Sequence, residues 1–175
     1  MHGKSCKRGI YAQSLLPNGL KLCLYEGYRS NNLQRILFEN RFFKVQTLHP
    51  AWSQAQIFDE TTKLVSPVTN KDGSKNIPPH STGSAIDIYL IDENGQPVNM
   101  GIQVKDWMED KDGSLSQAIS ESISGEAQQN RDIMSKALLA VGFVNYPTEY
   151  WHWSYGDRYW AHQSAQPSAL YGGVE

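Results

Sequence analysis

Apolar and polar residues alternate over residues 20–25, where the chain first shows a regular pattern. Leu20, Leu22 and Leu24 fall on one face of this segment, and a Pro-Asn-Gly turn signal precedes it at residues 17–19. A period of two residues is typical of a strand with one buried face. We therefore predict a half-buried strand here.

Two later segments have the spacing of amphipathic helices. Ser30 is a good N-cap for a helix over residues 31–46. Residues 128–141 form a second helical pattern, which Gly142 ends. The positions expected to face the core are Leu33, Ile36, Leu37 and Phe43 in the first helix, and Ile133, Met134, Ala137, Leu138 and Val141 in the second.

The remaining segments mix strand and loop signals. Prolines among Asn, Asp, Gly and Ser predict an irregular loop at residues 66–80, and the polar residues 106–126 predict an exposed loop with one short helix. Residues 84–91 are a predicted strand that ends at an Asn94-Gly95 hairpin signal. The aromatic stretch 143–160 is β-prone, with Pro147 interrupting it. Strands and helices without βαβ regularity predict the α+β class.

Length and charge limit the classes of function. The 175 residues fit a single domain, predicted to span residues 1–175. A formal charge of −2 and a pI of about 6.2 argue against a nucleic-acid or anionic-membrane partner, which would need a basic patch. No run of 18 apolar residues exists, so no transmembrane helix is expected.

The N-terminus and the cysteines bear on the compartment. The first eight residues are charged but lack an apolar core behind them, which predicts a cytoplasmic protein rather than one with a signal peptide. The alternative is a periplasmic protein whose signal peptide has been removed. Cys6 and Cys23 are expected to be free thiols, and a disulfide between them requires an oxidising compartment.

The first candidate for chemistry is a His-x6-Asp pattern, His80 to Asp87. Histidine nitrogen and carboxylate oxygen are both zinc ligands. Fully extended, the two residues would lie roughly 23 Å apart, so His80 must sit on a loop that folds back over the strand of Asp87. Asp87 interrupts an apolar run, and a carboxylate inside a core strand needs a partner such as a metal ion.

The second candidate is Glu149 with His152. On an ideal strand these positions face opposite ways, so a helical or tightly turned backbone is expected to bring them together. His152 would complete a three-residue ligand set and leave the fourth zinc position to water. Glu149 would then be the general base for that water.

Each of these signals has a plain alternative. A histidine in an aromatic stretch is commonly structural, and both Glu-x-x-His and His-x6-Asp occur by chance. The two patterns together, each in a segment that otherwise resembles apolar core, favour a metal site. Arg29 has two interpretations, a surface salt bridge or a guanidinium directed at a developing oxyanion.

Three blocks of the chain, taken in order, form a recognisable set: Glu-Gly-Tyr-Arg at 26–29, Pro-His-Ser-Thr-Gly-Ser-Ala-Ile-Asp at 79–87, and Glu-Tyr-Trp-His-Trp-Ser-Tyr-Gly-Asp-Arg-Tyr-Trp at 149–160. They resemble the zinc D-alanyl-D-alanine dipeptidases, known from vancomycin resistance, within the D-Ala-D-Ala metallopeptidase superfamily. The resemblance runs from about residue 12 to residue 161. The last block is specific to the dipeptidase branch.

The resemblance implies a Hedgehog/DD-peptidase-like α+β fold, in which a small antiparallel sheet flanked by helices carries one zinc ion. It assigns His80, Asp87 and His152 as ligands, Glu149 as the general base and Arg29 as the group that stabilises the oxyanion. The implied reaction is hydrolysis of D-Ala-D-Ala to two D-Ala. The implied partner is a small D-dipeptide, and the oligomeric state stays open.

The chain departs from the family where substrate is recognised. Pro78 replaces a usual Ser, Asn99 replaces an Asp that contacts the substrate ammonium, and Tyr150 replaces a usual Trp. Asn99, Tyr150 and Trp151 are the expected substrate-binding positions. Two alternatives therefore stay open: a peptidoglycan DD-carboxypeptidase or endopeptidase on the same fold, and a non-catalytic zinc-binding module.

Overall fold

The computed structural model describes residues 3–174, with side chains from residue 7 onward. Its centre is a four-stranded sheet in the order β1-β2-β4-β3, in which every neighbouring pair is antiparallel. The strands are β1 (Lys21–Glu26), β2 (Ala85–Ile91), β3 (Val144–Tyr146) and β4 (Glu149–Ser154).

Helices surround this sheet, and two short 3₁₀ turns lie in the connections. The helices are α1 (Gly3–Ser14), α2 (Asn31–Leu48), α3 (Gln54–Thr62), α4 (Gly125–Ala140) and α5 (Arg158–Gln163), and the 3₁₀ turns span Pro79–Thr82 and Val104–Glu109. This mixture confirms the predicted α+β class. Within the described residues, none of the helices combines the length and apolar character that crossing a bilayer requires.

The core lies between the sheet and α4. Met134 and Leu138 of α4 are fully buried, as the helical pattern predicted, and they belong to one cluster with Ile86, Leu90 and the aromatic residues of β4. Helix α4 begins at Ser124, whose hydroxyl accepts a hydrogen bond from the Ala127 amide. This packing holds the two central strands, which carry the candidate ligands Asp87 and His152.

The predicted apolar side of α2 is wrong. Leu33, Ile36 and Phe43 are exposed and Leu37 is half-buried, whereas the buried residues are Gln34, Arg41 and Val45. The helix itself and its Ser30 N-cap are confirmed. Long polar side chains face inward because this helix packs against loop backbone, whose carbonyl groups need donors. Gln34 Nε2 donates to Ser66 O at 2.7 Å, and Arg41 Nη1 donates to Asp110 O at 3.0 Å.

Strand β1 is also less regular than predicted. Leu22 is half-buried, but Leu24 is 49% exposed. The pairing with β2 shifts register between Leu24 and Glu26, and this bulge interrupts the alternation of faces.

Two loop predictions need correction. The short helix predicted within residues 106–126 is the second 3₁₀ turn, and it starts earlier, at Val104. The loop that follows is anchored rather than wholly exposed: Asp110 and Ser116 are buried, and Asp110 Oδ2 accepts a hydrogen bond from the Ser116 amide at 2.8 Å. The turn at Asn94-Gly95 forms with Gly95 at φ +79°, but an isolated bridge follows it instead of a strand. Cys23 is a free thiol, and the side chain of Cys6 lies outside the described residues.

Candidate metal centre and its cavity

Asp87 lies at the middle of the sheet. It stands on β2, opposite His152 of β4 on one side and Glu26 of β1 on the other. Its residue is only 3% exposed. A carboxylate in this position has His152 of the neighbouring strand β4 within reach of its side chain.

His80 reaches the same point from the 3₁₀ turn Pro79–Thr82, which folds back over β2 as predicted. The turn ends at Gly83, whose φ of +68° lies in the left-handed region that glycine adopts without strain. His80 Nδ1 lies 2.8 Å from Gly27 O, which marks Nδ1 as the protonated nitrogen. The Nε2 atom is therefore free to face Asp87 with its lone pair.

The three side chains converge into a compact triangle of ligand atoms. His80 Nε2 lies 3.1 Å from His152 Nδ1, and each nitrogen lies 3.2 Å from Asp87 Oδ1. Tetrahedral zinc with ligands at about 2.0–2.1 Å places its ligand atoms roughly 3.3–3.4 Å apart. The side chains of His80, Asp87 and His152 are all buried, and they fit one metal ion of this kind.

The charges within this triangle shift the pKa values of Asp87 and His80. Burial would raise the pKa of Asp87, but His80 and His152 outweigh it and hold that pKa far below the ordinary value. Burial also opposes charge on His80, yet the adjacent Asp87 carboxylate raises the pKa of the imidazole. The anionic ligand is therefore in its metal-binding form throughout the physiological range.

Glu149 lies beside the triangle without joining it. Its Oε2 is 3.9 Å from His152 Nδ1 and accepts a hydrogen bond from Trp151 Nε1 at 3.1 Å. Burial raises the pKa of Glu149 to about 8, because desolvation outweighs the attraction of His152 and Arg29. A carboxylate with a pKa near neutrality is suited to take up and release a proton.

The backbone that brings Glu149 to His152 is not the helical or tightly turned one expected. Both residues belong to β4. Along β3, Asn145 pairs with Trp153 but the next residue, Tyr146, pairs with Glu149, so the strand is irregular between these points. Such a bulge re-aims a side chain across the sheet, which places two positions of opposite expected orientation at one site.

Arg29 is largely buried, and its guanidinium has more than one hydrogen-bond partner. Its guanidinium donates to both carboxylate oxygens of Glu26 and, through Nη1, to Gln34 Oε1 at 3.0 Å. Nη2 lies 3.7 Å from Asp87 Oδ2. Although burial opposes its charge, the bond to Glu26 and the nearby carboxylates raise the pKa of Arg29. Three of its five N–H groups are thus occupied, and two have no acceptor among residues 3–174.

These groups open into a cavity of about 510 Å³. Its volume is in the range of small-molecule sites. Charged, aromatic and apolar residues share the lining, which consists of Tyr25, Arg29, Gln34, Thr62, Leu64, Val65, Ser66, Ile77, Pro79, His80, Thr82, Asp87, Val104, Trp107, Tyr146, Glu149, Trp151, His152, Asp157, Arg158, Tyr159, Ala169, Leu170, Tyr171 and Gly172.

The expected substrate-binding residues fall in different places. Trp151 lines the cavity, whereas Tyr150 is 1% exposed and its hydroxyl donates to Ile102 O at 2.7 Å. Asn99 is outside the cavity lining, and its side-chain amide donates to Glu126 near the start of α4 at 2.8 Å. Pro78 caps the 3₁₀ turn, with its carbonyl accepting from Ser81.

Several residues of the site carried no assigned role in the sequence. Glu26 and Gln34 hold Arg29, and Tyr146 packs its ring 5.9 Å from that of His152. Glu26 had no local signal, because it ends a strand and its pairing with Arg29 depends on how the following loop turns. Gln34 had none, because its burial depends on how α2 packs.

Fold and site together define a class of protein: an α+β domain with a buried three-ligand metal site and an adjacent acid–base carboxylate, the arrangement of a metal-dependent hydrolase. The chain belongs to the D-ala-D-ala dipeptidase family of peptidases, since residues 8–168 match the model of that family. The predicted family and the prediction of a peptidase are confirmed.

Relatives with similar sequences carry the same description. The D-alanyl-D-alanine dipeptidase of Synechocystis sp. is 27% identical over an alignment 175 residues long. The alignment covers 89% of this chain and 70% of that protein. The D-alanyl-D-alanine dipeptidase of Escherichia coli is 29% identical over 135 residues, which cover 77% of this chain and 55% of that protein.

Among solved structures, the chain is similar to VanYB in complex with D-alanine-D-alanine, with a TM-score of 0.49 and 16% identity over 94% of this chain and 78% of that one. It is also similar to a mutant of the vancomycin resistance D,D-pentapeptidase VanY in complex with Zn(II), with a TM-score of 0.42 and 17% identity over 94% and 79% of the two chains. These values are too low to support an inference about the site.

Proposed function

We propose that the chain is a zinc-dependent dipeptidase that hydrolyses D-Ala-D-Ala to two D-Ala, with one zinc ion held by His80, Asp87 and His152. The observation that carries the proposal is the ligand triangle with sides of 3.1 and 3.2 Å, which lies 3.9 Å from a separate carboxylate. Family membership supports the substrate, because both relatives are described as D-alanyl-D-alanine dipeptidases.

Glu149 is the proposed general base and acid. It accepts a proton from the attacking water, whose oxygen forms a bond to the amide carbon, and it donates that proton to the leaving amine as the carbon–nitrogen bond breaks. When bound, zinc would supply Lewis acidity at the substrate carbonyl and at the water.

Arg29 is the proposed stabiliser of the negative charge that develops on the carbonyl oxygen. Two of its N–H groups remain available, and Glu26 and Gln34 hold the guanidinium at the cavity wall. A fixed donor in a buried site stabilises developing charge without having to reorganise. The Trp151 indole has a supporting role, because it fixes the Glu149 carboxylate by a hydrogen bond.

The experiment that tests the proposal is incubation of the zinc-loaded protein with D-Ala-D-Ala and measurement of released D-Ala, beside the variants Glu149→Gln and Glu121→Gln. Glu149→Gln is expected to lower kcat by about 10²–10⁴-fold with zinc still bound at one ion per chain. Glu121 is exposed and outside the cavity, so its variant is expected to keep full activity. Full activity of Glu149→Gln would show the assigned base to be wrong.

A peptide ending in D-Ala-D-Ala with a blocked amino terminus separates the dipeptidase from the carboxypeptidase and endopeptidase alternatives. A dipeptidase releases D-Ala from the free dipeptide and not from the blocked peptide. Release from the blocked peptide alone would contradict the proposal. Zinc binding without turnover of either substrate would favour the non-catalytic module.

A further inference from the structure

The chain beyond residue 168, where the family match ends, returns to the site. The amides of Leu170 and Tyr171 both donate to Gly156 O, at 2.7 and 3.0 Å, and the Val174 amide donates to Ser81 O at 2.8 Å. Gly156 follows β4, which carries His152, and Ser81 is next to His80 in the 3₁₀ turn. Residues 169–174, here called the C-terminal segment, therefore join the two parts of the chain that supply the histidine ligands.

The contact with Gly156 is close-packed. Gly156 has a φ of +89°, and a Cβ built on it would lie 2.6 Å from Tyr171 Cε2 and 3.3 Å from Leu170 Cβ. Only the absence of a side chain lets the Tyr171 ring approach the backbone here. Gly173 is similarly near Ile77, with an added Cβ 3.3 Å from the Ile77 Cγ2 atom. The segment is seated by shape as well as by hydrogen bonds.

The C-terminal segment forms one wall of the cavity that contains Glu149 and Arg29. Its residues Ala169, Leu170, Tyr171 and Gly172 line that cavity, while Leu170 and Gly172 are also exposed to solvent. The wall is thus a single layer of chain between the cavity and the outside. The segment carries no charged side chain, so it bounds the cavity without offering an ion pair to a substrate.

We propose that the C-terminal segment limits the length of the substrate, a role that rests on the proposed function. Each additional residue of an extended peptide needs about 3.3 Å of room. In this proposal the free dipeptide binds within the cavity, and a peptide extended on the amino side of D-Ala-D-Ala would meet this wall. Tyr171 is the specificity-determining side chain, because its ring is the largest that the segment contributes to the lining.

The test compares kcat/KM for D-Ala-D-Ala with kcat/KM for an N-acetylated tripeptide ending in D-Ala-D-Ala. The proteins are the full chain, a chain ending at Ser168, Tyr171→Ala and Val174→Ala. The ratio of tripeptide to dipeptide is expected to rise at least about tenfold in the truncated chain and in Tyr171→Ala, a step of about 1.4 kcal/mol. Val174 does not line the cavity and keeps its backbone bond when substituted, so Val174→Ala is expected to leave the ratio unchanged.

Tyr171→Ala decides the question if the truncated chain fails to fold or to bind zinc, because it removes the ring and keeps every backbone hydrogen bond of the segment. An unchanged ratio in Tyr171→Ala would overturn the proposal. Binding measured by tryptophan fluorescence in the Glu149→Gln background gives the same ratio as dissociation constants, since Trp107 and Trp151 line the cavity. Failure of the full chain to cleave D-Ala-D-Ala would sink the proposed function, while the binding ratio would still test the wall.

Discussion

At the scale of single residues, the Arg29 guanidinium is fixed in one orientation by its hydrogen-bond partners. Both oxygens of Glu26 accept from the guanidinium, and Gln34 Oε1 accepts from Nη1 at 3.0 Å. A lysine has a compact ammonium group that cannot reproduce this planar, bidentate arrangement. The geometry therefore depends on arginine and not merely on a positive charge.

We expect Arg29→Lys to lower kcat/KM for D-Ala-D-Ala by roughly 10–100-fold, mainly through kcat, because the lost contact is made to charge that develops in the transition state. Steady-state kinetics on the zinc-loaded variant measure the effect. Arg35→Lys is the matched control, since Arg35 is exposed on α2. A fall in zinc content equal to the fall in activity would contradict a role in the transition state.

The raised pKa of His80 predicts how metal affinity depends on pH. Its pKa is raised because the Asp87 charge and hydrogen bond outweigh burial. Zinc needs the neutral imidazole, so protons compete with the metal below that raised pKa. We expect zinc affinity to fall as the pH is lowered and to level off above the raised pKa. Titration with a chelating competitor from pH 5 to pH 8 measures this, and an affinity independent of pH would contradict the ligand assignment.

The chemistry of individual residues was the part of the site most accessible from sequence. Asp87 within an apolar run and His152 within an aromatic strand both signalled a buried partner. The roles of Gln34 and Tyr171 could not be predicted, because both depend on contacts with distant parts of the chain. The contact of Asn99 with Glu126 near the start of α4 could likewise not be predicted from the local pattern.

Among the elements, helical periodicity predicted the buried face of one helix and failed for another. The α4 pattern predicted the buried Met134 and Leu138, because that helix packs on an apolar sheet. The α2 pattern failed at Gln34 and Arg41, because their side chains are buried as donors to loop carbonyls. Helix α3 was not predicted at all, although Ser53 and Gln56 form a capping box at its start.

The 3₁₀ turn that presents His80 depends on Gly83. An alanine at φ +68° would cost about 1–2 kcal/mol, because its Cβ approaches the following carbonyl. We expect Gly83→Ala to lower both the free energy of unfolding and zinc affinity. Gly73→Ala is the control: its φ of +82° imposes a similar strain, but it lies in a loop away from the ligands. Denaturant unfolding and zinc titration of both variants separate the two effects, and equal zinc affinities would contradict the link to His80.

At the scale of the molecule, the loop after β2 has little regular structure, and Arg131 is one of the side chains that hold it in place. Arg131 of α4 donates to the carbonyls of Met100, Leu115 and Gln117, which lie on that loop. Its guanidinium also lies 3.9 Å from the centre of the Tyr150 ring, on β4. Burial lowers the pKa of Arg131 to about 10, so the group stays charged at neutral pH.

We expect Arg131→Met to lower the free energy of unfolding by about 3 kcal/mol, because it leaves several buried carbonyls without donors and removes the cation from the Tyr150 ring. For a domain of 150–250 residues this corresponds to a fall in Tm of about 6–12 °C. Lys136→Met on the exposed face of α4 is the control and should change stability by less than about 0.5 kcal/mol. Equal stability of the two variants would mean that the loop is held by its other contacts.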